Sequence, residues 1–283
     1  MNRSGVVTAL QVAPLTLLLV AFVVVPLAAI VVVSFLDYDS VQILPKFVWG
    51  NYGDLIFSRV TWATFLNTLK YAVIVWAITL VLGFFVAYVL AFVIKGAVWQ
   101  SALFLVCTIP FLTSNIIRMI AWVPFLGREG LMNRALLSLH LIDRPLEFLL
   151  FSDFAVILAF VHLYTLFMVV PIFNTMMRID RSLIEAAVDA GAGPWQTVRE
   201  IVIPLSKSGI AIGSVFVMTL VMGDFATVRL MSGGQSASVG LMIANEISLL
   251  QYPAACANAV ILLAVVLLLI GGILRVVDIR KEL

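Results

Sequence analysis

The chain has 283 residues, of which 63% are hydrophobic and only 11% are charged, and its formal net charge is +2. Soluble domains carry charge on roughly a quarter of their residues. This composition therefore excludes a soluble globular protein and indicates one that is embedded in a lipid bilayer. The small net charge points to no particular macromolecular partner, and we expect none that is a nucleic acid.

Charged residues mark the ends of the apolar runs. Five runs are free of charge, and each is longer than the roughly 20 residues that a helix needs to cross a bilayer. A sixth run, Ser208 to Leu230, is long enough only if Asp224 and Arg229 lie near one membrane face. Lipid cannot satisfy backbone hydrogen bonds, so such runs form helices. We therefore predict an all-α integral membrane fold, one domain over residues 1–283, with six transmembrane helices at about 12–35, 66–94, 100–123, 154–177, 207–230 and 254–275.

The first apolar run could be either a secretory signal or a retained span. Its apolar body from Val12 to Phe35 is longer than the 7 to 15 residues of a signal h-region, so we expect a retained span. Both cysteines, Cys107 and Cys256, fall inside apolar runs, and their spacing suggests neither a disulfide framework nor a metal site. We expect them to be small core residues, and we expect no bound metal.

Basic residues are distributed unequally between the two sets of loops, and such a bias predicts orientation. An N-terminus inside the cell gives nine basic residues to the cytoplasmic side and five to the other side, when Lys70, Arg118 and Arg229 are set aside as lying in or against spans. Both termini are therefore predicted to be cytoplasmic. The nine are Arg3, Lys95, Arg178, Arg181, Arg199, Lys207, Arg275, Arg280 and Lys281, and the five are Lys46, Arg59, Arg128, Arg134 and Arg144.

A polar segment, residues 180–204, interrupts the apolar sequence between the fourth and fifth predicted spans. Ser182 followed by Glu185 is a capping box, which predicts a helix that begins at Leu183. Gly191 to Gly193 can adopt the positive φ of a tight turn, and Pro194 suits the first position of a second short helix. The prediction is a helix, a turn and a helix at the cytoplasmic face.

Pro204 is predicted to mark the break before the next span. On local evidence the segment could be a passive connection or a surface that docks onto a partner, because long ordered connections are often functional.

Seven spaced residues of this segment match a family pattern, in which EAA is followed by three residues, Gly, nine residues, Ile, one residue, an aliphatic residue and Pro. The segment resembles the signature loop of the permease subunits of binding-protein-dependent ABC importers. The matching residues are Glu185, Ala186, Ala187, Gly191, Ile201, Ile203 and Pro204, with Ile203 where Leu is usual. The resemblance implies that this loop sits in a groove on an ATPase subunit and transmits its closure, and it assigns coupling to Glu185, Ala186, Ala187, Asp189, Gly191, Ala192 and Trp195.

Other stretches resemble the spermidine/putrescine permease subfamily, which also includes transporters of other small organic solutes. They are FLNTLKYA from Phe65, IPFLTSNIIRMIAW from Ile109, REGLMNRALLSLHLID from Arg128 and MGDFATVRLMSGG from Met222. The resemblance implies a bacterial inner-membrane protein that acts with a second, homologous permease subunit, an ATPase dimer and an extracytoplasmic substrate-binding protein.

Catalysis by this chain is not expected. No G-x-x-x-x-G-K-[ST] phosphate loop occurs, and neither His140 nor His162 belongs to an H-E-x-x-H pattern. We expect His162 to be a hydrogen-bonded core residue, because buried polar groups are normally paired. The chain is therefore predicted to hold no cofactor, with ATP and Mg on the partner ATPase.

Polar groups at membrane depth are candidates for the solute path, since burying a charge there is costly. Asn115, Arg118 and Trp122 share one helical face, and Asp224 and Glu246 lie near the ends of later runs. Two interpretations stay open: these residues could contact solute, or Arg118 could pair with Asp224 or a carbonyl and hold two helices together.

The subfamily resemblance and the carboxylate of Asp224 favour a polyamine as solute. The arginines Arg118 and Arg229 would instead suit an amino-acid-like or other small organic solute. A self-contained secondary transporter is the competing class, but no internal repeat is evident. Gly209 and Gly213 form a G-x-x-x-G pair that permits close helix packing, within this chain or against the second permease.

Overall fold

The computed structural model describes residues 3–39 and 42–277. Helices dominate it, and short π and 3-10 turns interrupt several of them. The α-helices are α1 Arg3–Leu19, α2 Val25–Val33, α3 Gly50–Phe57, α4 Arg59–Tyr88, α5 Ala97–Thr108, α6 Asn115–Leu126, α7 Leu131–Ser138, α8 Asp153–Met176, α9 Arg181–Asp189, α10 Pro194–Thr197, α11 Ile203–Leu205, α12 Lys207–Gly223, α13 Ala226–Met231, α14 Val239–Ser248 and α15 Tyr252–Val276, and the strands are β1 Leu36–Tyr38 and β2 Ile43–Phe47.

Among the described residues, four helices are long and apolar enough to cross a membrane, and up to six if each of two bent helix pairs counts as one span. This confirms a multi-span helical membrane fold with between four and six crossings. The four helices are Gln11–Val33, Arg59–Val93, Asp153–Met176 and Tyr252–Arg275, and the bent pairs are Ala97–Leu112 with Asn115–Ser138 and Pro194–Leu205 with Lys207–Gly223.

Two of the predicted spans are interrupted. The span predicted at 100–123 bends by 88° between Leu112 and Asn115, because Pro110 lacks an N–H and Thr113 takes an extended backbone. The span predicted at 207–230 ends at Gly223. Asp224 is extended there, and its Oδ1 accepts the backbone N–H of Thr227 at 2.9 Å at the start of α13.

The chain divides into two compact units. In the first, residues 1–62 and 242–264, β1 and β2 form an antiparallel hairpin that the sequence did not predict. Its strands are too short for a clear alternating pattern. Phe35 stacks on Phe47 with ring centroids 5.0 Å apart, and the amide of Asn51 donates to the carbonyls of Ser34 and Leu36 at 2.9 Å. These contacts fix the chain after the first long helix.

The second unit, residues 63–241 and 265–283, is built around α8, whose buried side chains include Phe160, Leu163 and Met168. Helix α12 packs on α8 through glycines. A Cβ on Gly209 would lie 2.5 Å from the carbonyl oxygen of Pro171, and one on Gly213 would lie 2.7 Å from the sulfur of Met168. The G-x-x-x-G pair therefore makes a contact within this chain.

A polar cluster centred on Asp153, the first residue of α8, ties three segments of the second unit together. Its carboxylate accepts hydrogen bonds from Lys70 at 2.6 Å, from the hydroxyl of Tyr71 at 2.5 Å and from the hydroxyl of Ser236. The segment of Ser236 continues into α14, where the N–H of Val239 donates to the hydroxyl of Thr68 on α4. These bonds anchor a connecting segment to one end of α4 and α8.

Candidate coupling loop and solute path

Helix α9 opens the predicted coupling loop, and Asp180 caps it. The Asp180 carboxylate accepts the backbone N–H of Ser182 at 3.0 Å, and hydrogen bonding from Ser182 lowers the pKa of Asp180. The predicted capping box of Ser182 and Glu185 was wrong, because the helix begins at Arg181 and Ser182 already lies within its first turn. A carboxylate is as good a cap as a hydroxyl, so the sequence offered two candidates.

A tight turn follows α9 as predicted. Gly191 has φ +85°, a conformation that costs other residues about 1–2 kcal/mol. The N–H of Ala192 donates to the carbonyl of Ala187 at 2.9 Å, which closes the C-terminus of α9 in the manner of a Schellman motif. Helix α10 then begins at Pro194, also as predicted.

Helix α10 continues through a π turn, Val198–Val202, into α11. Pro204 therefore lies inside the helical path and does not mark the predicted break. The break comes at Ser206, where the helix direction changes by 68° before α12 begins. The π turn just before Pro204, Val198–Val202, already departs from the regular i→i−4 hydrogen-bond pattern, so a residue without an N–H is tolerated there.

The surface of the coupling loop is largely exposed, and no residue of α9 is buried. Trp195 is 73% exposed and Val188 is 59% exposed, although such side chains are normally buried. Large apolar side chains exposed on a polar segment outside the membrane spans are typical of an interaction surface. Of the residues assigned to coupling, Glu185, Ala186, Asp189, Gly191 and Trp195 are exposed, and Ala187 and Ala192 are half-buried.

A cavity of about 670 Å³ lies beside the loop, and Asp180 and Leu183 from the start of the loop form part of its wall. Asn174 from the end of α8, Arg178 just after that helix, and Leu205 from α11 also line it. The start of the loop therefore borders a space between the C-terminal end of α8 and the N-terminal end of α12.

A second cavity of about 660 Å³ brings together Asp224 and Asn115, which sequence spacing had placed on separate helices. Oδ2 of Asp224 accepts hydrogen bonds from the hydroxyls of Tyr164 at 2.6 Å and Thr227 at 2.7 Å, and Oδ1 accepts the N–H of Thr227. No salt bridge joins this carboxylate to a lysine or arginine in the part of the chain that the structure describes. Its negative charge is thus held by neutral donors alone.

Arg118 does not pair with Asp224. Its Nη2 donates to Oδ1 of Asn115, one turn earlier on α6, and its guanidinium lies 5.8 Å from the centre of the Phe111 ring. Nε and Nη1 of Arg118 are buried and have no hydrogen-bond partner among the described residues. Among the described residues, Arg118 therefore pairs with neither Asp224 nor a backbone carbonyl, and it does not hold two helices together in the way that the second interpretation required.

Trp122 and His162 meet Arg118 at a third cavity, of about 300 Å³. The indole N–H of Trp122 donates to Nδ1 of His162 at 3.1 Å. His162 is hydrogen-bonded, as predicted, but it is an exposed residue on the wall of this cavity and not a core residue.

Glu246 belongs to the first unit, where it lies on α14. Both of its carboxylate oxygens accept hydrogen bonds from the side-chain amide of Asn258, at 2.8 and 3.0 Å. Burial raises the pKa of Glu246 above its ordinary value, and the bond from Asn258 opposes part of that rise. The two cysteines are free and half-buried.

The exposed segment 180–204 and the long apolar helices agree with a family match. Residues 79–281 match the sequence profile of the family described as the binding-protein-dependent transport system inner membrane component. The chain belongs to this family of permeases. The permease is thus an inner-membrane protein with several crossings and a subunit of an ABC importer, and ATP hydrolysis belongs to a separate subunit in such systems.

Several curated permeases are similar along most of the chain. The spermidine/putrescine transport system permease protein PotB of Escherichia coli (strain K12) is 35% identical over 226 residues, which cover 80% of this chain and 81% of that protein. PotB of Haemophilus influenzae is 29% identical over 81% of this chain and 79% of that protein. The osmoprotective compounds uptake permease protein GgtC of Synechocystis is 28% identical over 91% of this chain and 94% of that protein.

The fold of the permease is similar to that of a solved transporter. A crystal structure of a bacterial alginate ABC transporter, in complex with an alginate pentasaccharide-bound periplasmic protein, contains a chain with a TM-score of 0.77 and 16% identity. The match covers 98% of this chain and 95% of that chain. At this identity the similarity concerns the fold alone.

Two residues that shape the candidate solute path were not predicted from the sequence, and both are hydroxyl partners of Asp224. Tyr164 lies in the middle of an apolar helix, and Thr227 follows the end of the fifth span. The spacing of Asp224 and Thr227, three residues apart after a helix end, was the available local signal for the second. For Tyr164 the sequence offered only a polar hydroxyl at membrane depth.

Proposed function

We propose that this permease is one half of the membrane pore of an ATP-driven importer of polyamines such as spermidine or putrescine. One observation carries the proposal: the carboxylate of Asp224 lies at a cavity of about 660 Å³, and its hydrogen bonds from the described residues come only from neutral groups. The similarity to PotB, a permease of spermidine/putrescine transport, supports the same substrate class.

A protonated amine complements the Asp224 site. Asp224 carries a charge that the described residues do not balance, and an unpaired charge away from water is costly. An ammonium group that enters the cavity would offset this cost. The carboxylate would in turn stabilise the ammonium group, which loses part of its hydration on entering. The hydroxyl of Thr219 on the same wall offers a further acceptor.

The second candidate is an amino-acid-like or other small organic solute. Such a solute carries a carboxylate, so its path would need a side chain that binds a carboxylate. The unpartnered nitrogens of Arg118 favour it, and so does the similarity to GgtC, whose substrates are osmoprotective compounds. Arg118 borders a different cavity from Asp224.

In the proposed complex, the coupling loop docks onto an ATPase dimer, and that dimer binds ATP and Mg. The loop's exposed Trp195 and Val188 suit a groove on another protein, and the residues assigned to coupling lie on this surface. In this arrangement the loop and both termini are cytoplasmic, in keeping with the excess of basic residues on that side. A second homologous permease completes the pore, and an extracytoplasmic substrate-binding protein delivers the solute to the opposite face.

The test is uptake by the complete complex in liposomes, with spermidine, putrescine and a panel of amino acids. Asp224→Asn keeps the size of the side chain and removes its charge, so amine uptake and amine-stimulated ATP hydrolysis should both fall at least about tenfold. Asp224→Glu should retain more activity than Asp224→Asn. Asp143→Asn, at an exposed carboxylate, is the matched control.

Separate outcomes contradict the separate parts of the proposal. If amino acids are taken up and amines are not, or if Asp224→Asn transports amines normally, the polyamine assignment is wrong. If no ATPase associates with the chain, or if the chain alone moves solute, the role as half of an ATP-driven pore is wrong.

A further inference from the structure

The two larger cavities are lined by one face of α12. Ser208, Ile212 and Phe216 line the cavity beside the coupling loop, and Thr219 and Gly223 line the cavity of Asp224. These residues follow one another at intervals of three or four, so they form one stripe along the helix. The two cavities therefore follow one another along a single face of α12.

Helix α8 contributes a matching stripe that runs in the opposite direction. Tyr164 lines the cavity of Asp224, and Val170 and Asn174 line the cavity beside the loop. Phe167 lies between them at the same helical spacing, near the middle of α8. The groove between α8 and α12 thus carries both cavities.

Two phenylalanine rings meet in this groove at the level where one cavity ends and the other begins. The ring centroids of Phe167 and Phe216 lie 6.2 Å apart. Phe167 also contacts the rings of Phe111, at 4.8 Å, and Tyr164, at 6.0 Å. Phe216 is 48% exposed. Phe167 is therefore fixed by its neighbours, whereas the ring of Phe216 is less constrained by its own chain.

A charged group that moves from one cavity to the other has to pass this ring pair. Apolar rings cannot replace the water that the charged group sheds, and apolar constrictions block charged groups until they open. No charged residue lies on α12 from Ile210 to Val221. Phe216 and Thr219 are separated along the helix by only about 4.5 Å, from a rise of about 1.5 Å per residue. One aromatic side chain is therefore large enough to separate the two cavities.

We propose that Phe216, braced by Phe167, is the barrier between the cavity of Asp224 and the cavity beside the coupling loop, and that its ring moves aside when solute is transferred. Asp180 and Leu183 of the loop line the second cavity, so a movement of the loop reaches the space on that side of the barrier directly. This inference rests on the proposed function, because the second permease supplies the other wall of the path.

The test is the passive efflux of tetramethylammonium from liposomes that hold the complete complex and no ATP. This small cation is permanently charged, and its efflux does not depend on which solute the importer carries. We expect Phe216→Ala to raise the efflux at least about tenfold over wild type, since a small decrease in a barrier changes a rate by that factor. Phe216→Trp keeps an aromatic ring and should not leak.

Two controls distinguish a lost barrier from a loosened protein. Phe85→Ala removes an exposed ring of α4 that lines neither cavity. Gly209→Ala strains the contact between α12 and α8 but keeps both rings of the barrier. Neither control should leak. The proposal would be overturned if either control, or Phe216→Trp, leaked as much as Phe216→Ala, or if Phe216→Ala leaked no more than wild type.

A smaller change covers the case in which Phe216→Ala yields no assembled complex. Phe216→Leu keeps an apolar side chain but removes the ring, so it should leak more than wild type, and efflux at the wild-type level would overturn the proposal. ATP-driven amine uptake by the wild-type complex tests the proposed function separately. If wild type takes up amines and the Phe216 variants do not leak, only the barrier is wrong. If Phe216→Ala leaks but wild type takes up no amine, the barrier is supported and the polyamine assignment is wrong.

Discussion

Tyr164 and Asp224, which lie 60 residues apart in the chain, are joined by a hydrogen bond of 2.6 Å from the phenolic hydroxyl to Oδ2. The bond links the middle of α8 to the residue that follows α12. It positions the carboxylate at the edge of the cavity, so the candidate solute site depends on the packing of two helices.

Tyr164→Phe should lower both stability and transport. Hydrogen bonds to charged groups contribute about 1.5–3 kcal/mol, and the loss should appear as a lower melting temperature of the complex. Amine uptake should fall because the carboxylate is less well fixed. The control is Tyr88→Phe, since the Tyr88 hydroxyl has no hydrogen bond to another described residue. Equal effects of the two substitutions would show that the Tyr164 bond has no special role.

Gly191→Val should weaken the association of the permease with the ATPase and lower transport. Valine at φ +85° is strained by about 1–2 kcal/mol or more, because it is β-branched. Apart from its own chain neighbours, no described residue has an atom within 4 Å of the added Cβ, so the variant should still fold and reach the membrane. The strained turn and the added side chain should weaken ATPase association, measured by co-purification, together with uptake.

Gly193→Val is the matched control for the coupling turn. Gly193 also has open space around its Cβ position, but its φ is −72°, which valine adopts readily. We expect Gly193→Val to keep more ATPase association than Gly191→Val. If both variants associate normally and support normal uptake, the assignment of this turn to coupling fails.

Gly209→Ala should destabilise the permease, because the added Cβ meets the backbone of α8. The carbonyl oxygen of Pro171 would lie 2.5 Å away and cannot rotate aside as a side chain can. We expect a loss of about 1–3 kcal/mol, the usual cost of overpacking, seen as a lower melting temperature. Gly223→Ala lies at the end of the same helix, where no described residue beyond its own helix has an atom within 4 Å of the added Cβ, and it should be close to neutral. A result in which Gly223→Ala is as damaging would argue against the close contact of α8 and α12.

Local chemistry in the sequence predicted much of the coupling loop. Gly191 and Pro194 lie where a positive φ and a missing N–H are needed, and those requirements act within a few residues. The gaps between charged residues likewise predicted the helical membrane fold, since the cost of charge in lipid does not depend on tertiary detail. The predicted start of α9 was wrong only because Asp180 and Ser182 are both good N-cap residues.

The remaining features depend on contacts between distant residues. Tyr164 could not be matched to Asp224, and His162 could not be matched to Trp122, because each pair is brought together by helix packing. The bend after Leu112 was missed for a different reason. Pro110 signalled a weak point, but prolines are tolerated in membrane helices, so its presence did not specify a break.

Glu246 should make the stability of the permease depend on pH. Burial raises its pKa above the ordinary value of a glutamate, so the folded protein favours the neutral carboxyl more than the unfolded chain does. The resulting stabilisation is fully present below the pKa of the unfolded chain and is lost as the pH rises through the higher, folded value. The contribution of Glu246 to the melting temperature should therefore grow as the pH is lowered from 8 towards 5.

Glu246→Gln should remove this dependence while keeping an oxygen that can accept the amide of Asn258. The variant should melt at a higher temperature than wild type at pH 8, and the difference should shrink as the pH approaches 5. Glu129→Gln, at an exposed carboxylate, should leave the wild-type pH profile unchanged. Parallel profiles for wild type and Glu246→Gln across this range would mean that Glu246 is not the group whose ionisation opposes folding.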